Sequence, residues 1–305
     1  MSSASTLYRS PEAHAGLLAW YDDMLARLPV PYEARMVPTR YGDTHVVATG
    51  NPGTPPVVLV PGMGGNAMLY RRQLASLSDC CHLYAVDIPG QPGKSAPIRI
   101  GAGGLAYADW LCDVFDGLDL SQAAIIGGSM GGRLVLQFGA HPEGQRRIRR
   151  AVLFSAIGIR RISYGLTARM LPMGFGLRKG DADSIGRLLR YGLSLPLDGP
   201  LDEDTTRMLQ GFLIGLRDFK HDMVAATRML FPLPETTLRY FAAPTLLFMG
   251  AEERLFDPQH VINRAYQVLP NLVAEEIVPD MGHGLIMQHN AAVDARIRAF
   301  LLEVL

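Results

Sequence analysis

The chain has 305 residues, 48% of them apolar, and equal numbers of basic and acidic side chains give it a formal net charge of zero. No global field therefore attracts nucleic acid or an anionic membrane, and the expected partner is a small organic molecule with an apolar portion. The first residues lack the features of a signal peptide, and no apolar run reaches membrane-spanning length. We expect a cytoplasmic protein without membrane contact.

The three cysteines and eight histidines show no metal-ligand spacing. Cys80 and Cys81 are adjacent and Cys112 is distant, which is neither a disulfide framework nor a C-x-x-C pattern. No histidine pair lies at ligand spacing beside a cluster of acids or cysteines. We expect no metal and no cofactor.

The first half of the chain alternates between helical and extended patterns. Ser10 can cap a helix over about 11–28, and two short strands around 35–39 and 45–48 flank a turn at Gly42. Apolar strands are then predicted at 56–61, 82–87, 123–127 and 150–154, and helices through Leu69 to Leu77, at 104–118 and at 131–140. Near-continuous apolar strands that alternate with helices predict a mostly parallel sheet.

The pattern changes at about residue 158 to helical segments rich in Leu, Met and Arg, with no convincing strand before 235. Strands at 243–250 and 273–278 and helices at 257–269 and 284–304 follow. The sequence therefore predicts an α/β core formed by residues 1–157 and 236–305, with a helical cap inserted at 158–235.

Ser129 lies in a Gly-x-Ser-x-Gly motif, between a predicted strand and a predicted helix. That context is typical of a strained turn that exposes a nucleophilic serine above the edge of a sheet. Glycines at 127, 128, 131 and 132 are expected to relieve the crowding around it. The alternative is a glycine-rich turn with an incidental serine.

A serine hydroxyl needs a base, and His283 is the candidate because it lies on the loop between the last strand and the last helix. A surface or helix-capping role is the alternative for this residue. His289 could compete, but the pattern places it inside the final helix.

The base needs an acidic partner, and the loop after the strand at 243–250 supplies Glu252, Glu253 and Asp257. We select Glu253 as the acid. Any of the three could instead be a solvated loop carboxylate, and Asp257 could cap the next helix.

The backbone N–H groups of Met63 and Met130 occupy the places where donors for a developing oxyanion are expected. Two segments partly resemble a phosphate-binding loop. One is the glycine-rich segment around Met63, which has no lysine in the right place, and the other is Gly93-Lys94-Ser95. Ile88 stands where that motif requires its first glycine, so nucleotide binding is not expected.

Apolar side chains of the predicted cap either cover a mainly apolar substrate pocket or pack the cap against the core. The candidate pocket residues are Met170, Met173, Phe175, Phe212 and Leu213, with Met208 and Met223 beside them.

With these residues placed, the sequence resembles the α/β-hydrolase superfamily along nearly its whole length. Asp87 to Gly90, with Gly93 and Ser95, is similar to the family's D-x-P-G-x-G-x-S loop with one extra residue. The N-terminal helix, the segments 28–31 and 39–46 and a glutamate at position 253 also resemble bacterial carboxylesterases. Pro61 departs from the histidine that many relatives have there.

The resemblance implies an α/β-hydrolase fold and a serine carboxylesterase that acts through an acyl-enzyme. The same triad could also serve a lactonase, thioesterase, carbon–carbon hydrolase or perhydrolase. A different class is a ligand-sensing protein of the same fold with little turnover.

Overall fold

The computed structural model describes residues 7–101, 103–162, 182–288 and 290–303, and a sheet of eight strands runs through it. The strands are β1 Tyr32–Val37, β2 Thr44–Thr49, β3 Pro56–Val60, β4 His82–Val86, β5 Ala123–Gly128, β6 Ile148–Phe154, β7 Thr245–Gly250 and β8 Leu272–Val278. Their order is β1-β2-β4-β3-β5-β6-β7-β8. β2 is antiparallel to β1 and β4, and the other neighbours are parallel, so the predicted mostly parallel sheet is confirmed.

Helices flank both faces of this sheet. They are α1 Pro11–Ala26, α2 Arg71–Ser76, α3 Ala106–Gly117, α4 Met130–Ala140, α5 Pro142–Arg147, α6 Ala182–Gly192, α7 Glu203–Asp218, α8 Met223–Met229, α9 Glu235–Arg239, α10 Pro258–Val268 and α11 Ala291–Leu302. Ser10 caps α1 as predicted, because its hydroxyl accepts the N–H of Ala13 at 3.1 Å.

Alternation along the strands builds a hydrophobic core on each face of the sheet. Val58 and Val60 of β3 belong to one core, together with Leu134 of α4. Val57 and Leu59, which point the other way, belong to the second core with α1 and α11. Burial on both faces explains why central strands such as β3 and β5 carry no charged residue, whereas β1 and β8 at the sheet edges are partly exposed and carry charges.

The last helix begins later than the sequence predicts. A 3₁₀ turn at Leu285–Met287 follows the His283 loop, and α11 starts only at Ala291. Asn290 caps α11, since its side-chain oxygen accepts the N–H groups of Ala292 and Val293 at 3.1 and 3.2 Å. The predicted start at residue 284 is therefore wrong, and His289 lies outside the described residues.

Three further elements differ from the prediction, and the first is β1, which spans Tyr32–Val37 rather than about 35–39. The segment through Leu69 and Leu77 is a 3₁₀ turn at Ala67–Tyr70 followed by the short α2, with Asn66 as the cap of the turn. The helix α5 falls where no helix is expected, because six residues with one buried glycine carry no amphipathic pattern.

Helices α6 to α8 occupy the described part of the predicted cap. The long α7 packs on α1, where the indole N–H of Trp20 donates to the carbonyl of Arg207 at 2.9 Å. At the end of α7, the N–H of Arg9 donates to the carbonyl of Asp218, and the N–H of Lys220 donates to the carbonyl of Leu7, each at 2.8 Å. The division of the chain into a core and a cap at 158–235 stays a prediction.

Candidate active site

Ser129 joins β5 to α4 in a strained backbone conformation. Its φ of 54° and ψ of −118° are values that residues other than glycine rarely adopt. Its N–H donates to the carbonyl of Phe154 at 2.8 Å, and its carbonyl accepts the N–H of Ile157 at 3.1 Å. The end of β6 therefore holds the turn that exposes the serine hydroxyl.

Close approaches of the backbone explain the glycines around this turn. A Cβ on Gly131 would lie 2.1 Å from a carbonyl oxygen of β3, and a Cβ on Gly127 would lie 2.7 Å from the backbone of Gly131. A Cβ on Gly132 would lie 2.6 Å from an alanine side chain. Gly128 differs, because its nearest contact would be an ordinary 3.4 Å. The expectation that all four glycines relieve crowding is wrong for Gly128.

His283 lies on the turn after β8 and contacts both Ser129 and Glu253. Its Nε2 is 2.9 Å from Oγ of Ser129, and its Nδ1 is 2.8 Å from Oε2 of Glu253. Since an ionised carboxylate only accepts hydrogen bonds, Nδ1 carries the proton of the neutral ring. The lone pair of Nε2 then faces the serine hydroxyl, as a general base requires.

The structure distinguishes among the three acidic candidates. Glu253 is only 8% exposed and contacts His283. Glu252 is exposed, and the exposed Asp257 caps α10 by accepting the N–H of His260 at 3.0 Å. Only Glu253 of these three is placed to fix the orientation of the imidazole.

The surroundings of Glu253 favour its ionised form. Burial raises the pKa of Glu253, but the attraction of the His283 ring when it is protonated, its hydrogen bond and the N–H of Leu255 outweigh this effect. The hydroxyl of Ser155 acts in the same direction, and the result is a pKa below the ordinary value. The buried carboxylate is therefore charged at neutral pH and can stabilise an imidazolium.

A turn that follows α6 holds the acid and histidine loops together. The carbonyl of Leu193 accepts the N–H of Gly284 at 2.6 Å, and Oγ of Ser194 accepts the N–H of Arg254 at 3.0 Å. A Cβ on Gly282 would lie 2.2 Å from Cβ of Ser194, so only glycine fits there. Sequence reasoning missed Ser194, because no motif marks it.

The loop after β3 runs beside the nucleophile. A Cβ on Gly62 would lie 3.4 Å from Cβ of Ser129. Within the described ranges, the N–H of the next residue, Met63, donates to no protein acceptor. Met130 is the first residue of α4, where the N–H has no acceptor within the helix. Both predicted oxyanion donors therefore stay available to a ligand.

Gln91 fixes the conformation of this loop, since its Oε1 accepts the N–H of Gly64 at 3.0 Å. Gly90, which precedes Gln91, allows the backbone of Arg99 to pack closely against it, because a Cβ at position 90 would lie only 2.7 Å from that backbone. Sequence reasoning did not single out Gln91. The signal was present, since Gln91 and Pro92 stand where the D-x-P-G-x-G-x-S pattern has one residue.

Asp87, directly after β4, stabilises the segments that follow β3 and β4. It is 1% exposed. Its carboxylate accepts the N–H of Ala67 at 2.7 Å, the N–H of Lys94 at 2.8 Å and the hydroxyl of Tyr21 at 3.0 Å. Asp87 therefore holds the backbone at Ala67 and Lys94 in place.

Of the predicted pocket residues, the structure describes Phe212 and Leu213, which lie at different places. Met170, Met173 and Phe175 lie outside the described residues. Phe212 packs on the loop after β3, where a Cβ on Gly65 would meet its ring at 3.5 Å. Leu213 lines a separate groove of about 180 Å³ between α6 and α7.

Of the other predicted cap residues, Met208 is buried at 2% exposure against the core that contains α1. The side chain of Met223 lies outside the described part of the structure. In the described ranges, no three His, Cys, Asp or Glu side chains gather as a metal site would need.

Comparison with known proteins agrees with this architecture. The sequence model of the alpha/beta hydrolase family matches residues 57–296. The chain belongs to this family. It is 28% identical over 295 residues to the uncharacterized carboxylesterase nap of Bacillus subtilis, which covers 92% of this chain and 90% of that protein. It is 29% identical over 293 residues to carboxylesterase YbfK of the same organism, with 92% of each chain covered.

Solved structures give the same result for the fold of this α/β-hydrolase. The crystal structure of carboxylesterase CesB (YbfK) from Bacillus subtilis matches with a TM-score of 0.80 at 24% identity, covering 96% of this chain and 100% of that chain. The α/β-hydrolase fold and the resemblance to bacterial carboxylesterases are confirmed. Among the described helices, none has the length and apolar character needed to cross a bilayer.

Proposed function

We propose that this α/β-hydrolase is a serine carboxylesterase that cleaves a small carboxylic ester through an acyl-enzyme. Its family and its carboxylesterase relatives support a hydrolase acting on carboxylic esters. The observation that supports the mechanism most directly is one continuous chain of hydrogen bonds. It joins Ser129 to His283 at 2.9 Å and His283 to Glu253 at 2.8 Å.

In the first half of the reaction, Oγ of Ser129 attacks the carbonyl carbon of the ester while Nε2 of His283 takes its proton. The N–H groups of Met63 and Met130 stabilise the negative charge on the carbonyl oxygen. The C–O bond to the alcohol then breaks, and the imidazolium gives its proton to the departing alkoxide oxygen. The acyl group is left on Ser129 as an ester.

In the second half, water attacks this acyl-enzyme by the same route. His283 takes a proton from the water, the oxyanion forms again between the two N–H donors, and the acid is released as Ser129 regains its proton. Glu253 stays ionised and stabilises the imidazolium in both halves.

The test is Ser129→Ala assayed on p-nitrophenyl butyrate. We expect kcat to fall by at least about 10⁴-fold, because removing a triad nucleophile leaves only binding and oxyanion contributions. Ser121→Ala is the matched control, since Ser121 is exposed just before β5. Undiminished turnover by Ser129→Ala with unchanged circular dichroism would contradict the proposal.

Repeated turnover also separates this function from ligand sensing. An esterase releases many equivalents of p-nitrophenol per protein molecule, whereas a binding protein of this fold releases one equivalent or fewer. Parallel assays with a lactone and a thioester compare the other reactions open to the same triad.

A further inference from the structure

A cavity of about 120 Å³ adjoins the oxyanion donors. Met63 and Met130 form part of its wall. Other parts of the wall come from Phe219 and His221, which follow α7, and from Met229 at the end of α8. The cavity therefore lies between the two residues proposed to stabilise the oxyanion and the helical segment between β6 and β7.

The position of the cavity indicates which part of an ester it receives. His283 must protonate the leaving alcohol, so the alcohol portion lies on the His283 side of the reacting carbonyl. The wall of the cavity includes both oxyanion residues and, among the described residues, none from the Glu253 or His283 loop. The portion bound on this side is the acyl chain.

The volume of the cavity limits the length of that chain. A closed apolar cavity of about 150 Å³ can hold benzene, which has six non-hydrogen atoms, so a cavity of about 120 Å³ has room for about five. An acyl group with three or four atoms beyond its carbonyl fits within it. A much longer chain has to leave the cavity.

One wall of the cavity offers a hydrogen-bond donor. Tyr107 of α3 is 7% exposed, and the described residues make no hydrogen bond to its hydroxyl. Burial, together with the negative charge of Asp222, raises the pKa of Tyr107 to about 12. The phenol therefore keeps its proton at neutral pH.

Another wall offers an acceptor. Nε2 of His221 lies 3.0 Å from the carbonyl oxygen of Gly215, which can only accept, so Nε2 carries a proton. Burial lowers the pKa of His221 by more than the hydrogen bond to Gly215 raises it, and the charges of Arg99 and Arg9 lower it further. The ring is therefore neutral at neutral pH, and its Nδ1 is an acceptor.

We propose that this cavity is an acyl subsite for short chains that bear a hydroxyl group, an assignment that rests on the proposed esterase function. A hydroxyl both accepts and donates a hydrogen bond, which matches the Tyr107 donor and the His221 acceptor. The charges of Arg99 and Asp222 in the wall are opposite, so the site favours a neutral group over an ion.

The experiment compares four p-nitrophenyl esters that share one leaving group: acetate, butyrate, 3-hydroxybutyrate and octanoate. We expect kcat/KM for 3-hydroxybutyrate to exceed that for butyrate by roughly tenfold, the net ratio expected for the two hydrogen bonds after the loss of hydration of the hydroxyl group. The value for octanoate should fall below that for butyrate, because its chain exceeds the cavity.

Variants assign this preference to the cavity. Tyr107→Phe should lower the ratio of 3-hydroxybutyrate to butyrate, because it removes the donor while keeping the ring and the His221 acceptor. Tyr266→Phe is the matched control on α10, where an exposed tyrosine hydroxyl contacts Glu275, and it should leave the ratio unchanged. Ala226→Leu adds three carbons to the wall and should favour acetate over the longer esters.

Two results would overturn the assignment while leaving the esterase function intact. One is octanoate as the best of the four substrates, and the other is an unchanged hydroxybutyrate preference in Tyr107→Phe. Absence of turnover on all four esters by the wild-type protein would instead overturn the esterase function and the subsite together.

Discussion

Replacement of Glu253 by glutamine tests how the acid acts on the histidine. In the native site, each carboxylate oxygen accepts one donor. Oε1 accepts the N–H of Leu255 at 2.9 Å, and Oε2 accepts Nδ1–H of His283 at 2.8 Å. Glutamine has one acceptor oxygen and one NH₂ donor, so it cannot satisfy both. If the amide oxygen of the glutamine keeps the hydrogen bond from the N–H of Leu255, its NH₂ group faces Nδ1 of His283.

The imidazole then has to accept at Nδ1 and carry its proton on Nε2, which faces Oγ of Ser129 at 2.9 Å. That tautomer cannot take the serine proton. Loss of the correct tautomer in a serine triad costs a factor of about 10⁴ in kcat, or about 5.4 kcal/mol. We expect a loss of that order in Glu253→Gln, with KM changed much less.

Stopped assays on p-nitrophenyl butyrate measure the effect, with Glu252→Gln and Asp257→Asn as matched controls. Both control side chains are exposed, and Asp257 serves as a helix cap that asparagine can replace. They should retain kcat within about twofold, the limit for a surface change away from the site. A large loss in either control together with a small loss in Glu253→Gln would refute the assignment.

Three further outcomes follow from the contacts. Gly131→Ala should abolish folding or activity, while Gly128→Ala should keep both in circular dichroism and esterase assays, because only the first Cβ meets backbone at 2.1 Å. Ser194→Ala leaves the N–H of Arg254 without its acceptor and should lower kcat about tenfold with little change in KM, since small displacements of catalytic groups are costly; an unchanged kcat would argue against a positioning role. Burial raises the pKa of Asp202, but its hydrogen bonds and the charge of Arg72 lower it overall. In urea unfolding, the free energy of unfolding of Asp202→Asn should therefore be lower than that of the wild type above about pH 4. The difference between the two free energies should shrink as the pH falls through the lowered pKa of Asp202. A difference that does not depend on pH would contradict this reasoning.

The sequence predicts those parts of the molecule whose patterns are local. Apolar runs such as 56–60 and 123–128 are buried on both faces of the sheet, so their composition alone identifies them. The turn at Ser129 is equally local, because the glycines that it requires are neighbours in the chain. The start of the final helix was misjudged since Leu285 and Ile286 continue the apolar pattern, while the cap at Asn290 overrides it.

Other features depend on contacts between distant segments and leave no local pattern. Ser194 contacts the acid and histidine loops, which lie 60 or more residues away in the chain. The described cavity beside the oxyanion donors is bordered by Tyr107 and His221, whereas the sequence favoured Phe212 and Leu213 of α7. Helical spacing shows that α7 has an apolar face, but it does not show which residues turn toward the nucleophile.

The central claim is that Ser129 is the nucleophile, and covalent labelling tests it most directly. A fluorophosphonate reacts with a serine hydroxyl that an adjacent base activates, and peptide mass spectrometry then locates the adduct. We predict one phosphonyl group per chain on the peptide that contains Ser129, and loss of labelling in Ser129→Ala and His283→Ala. Labelling at another residue, or equal labelling of Ser129→Ala, would contradict this account.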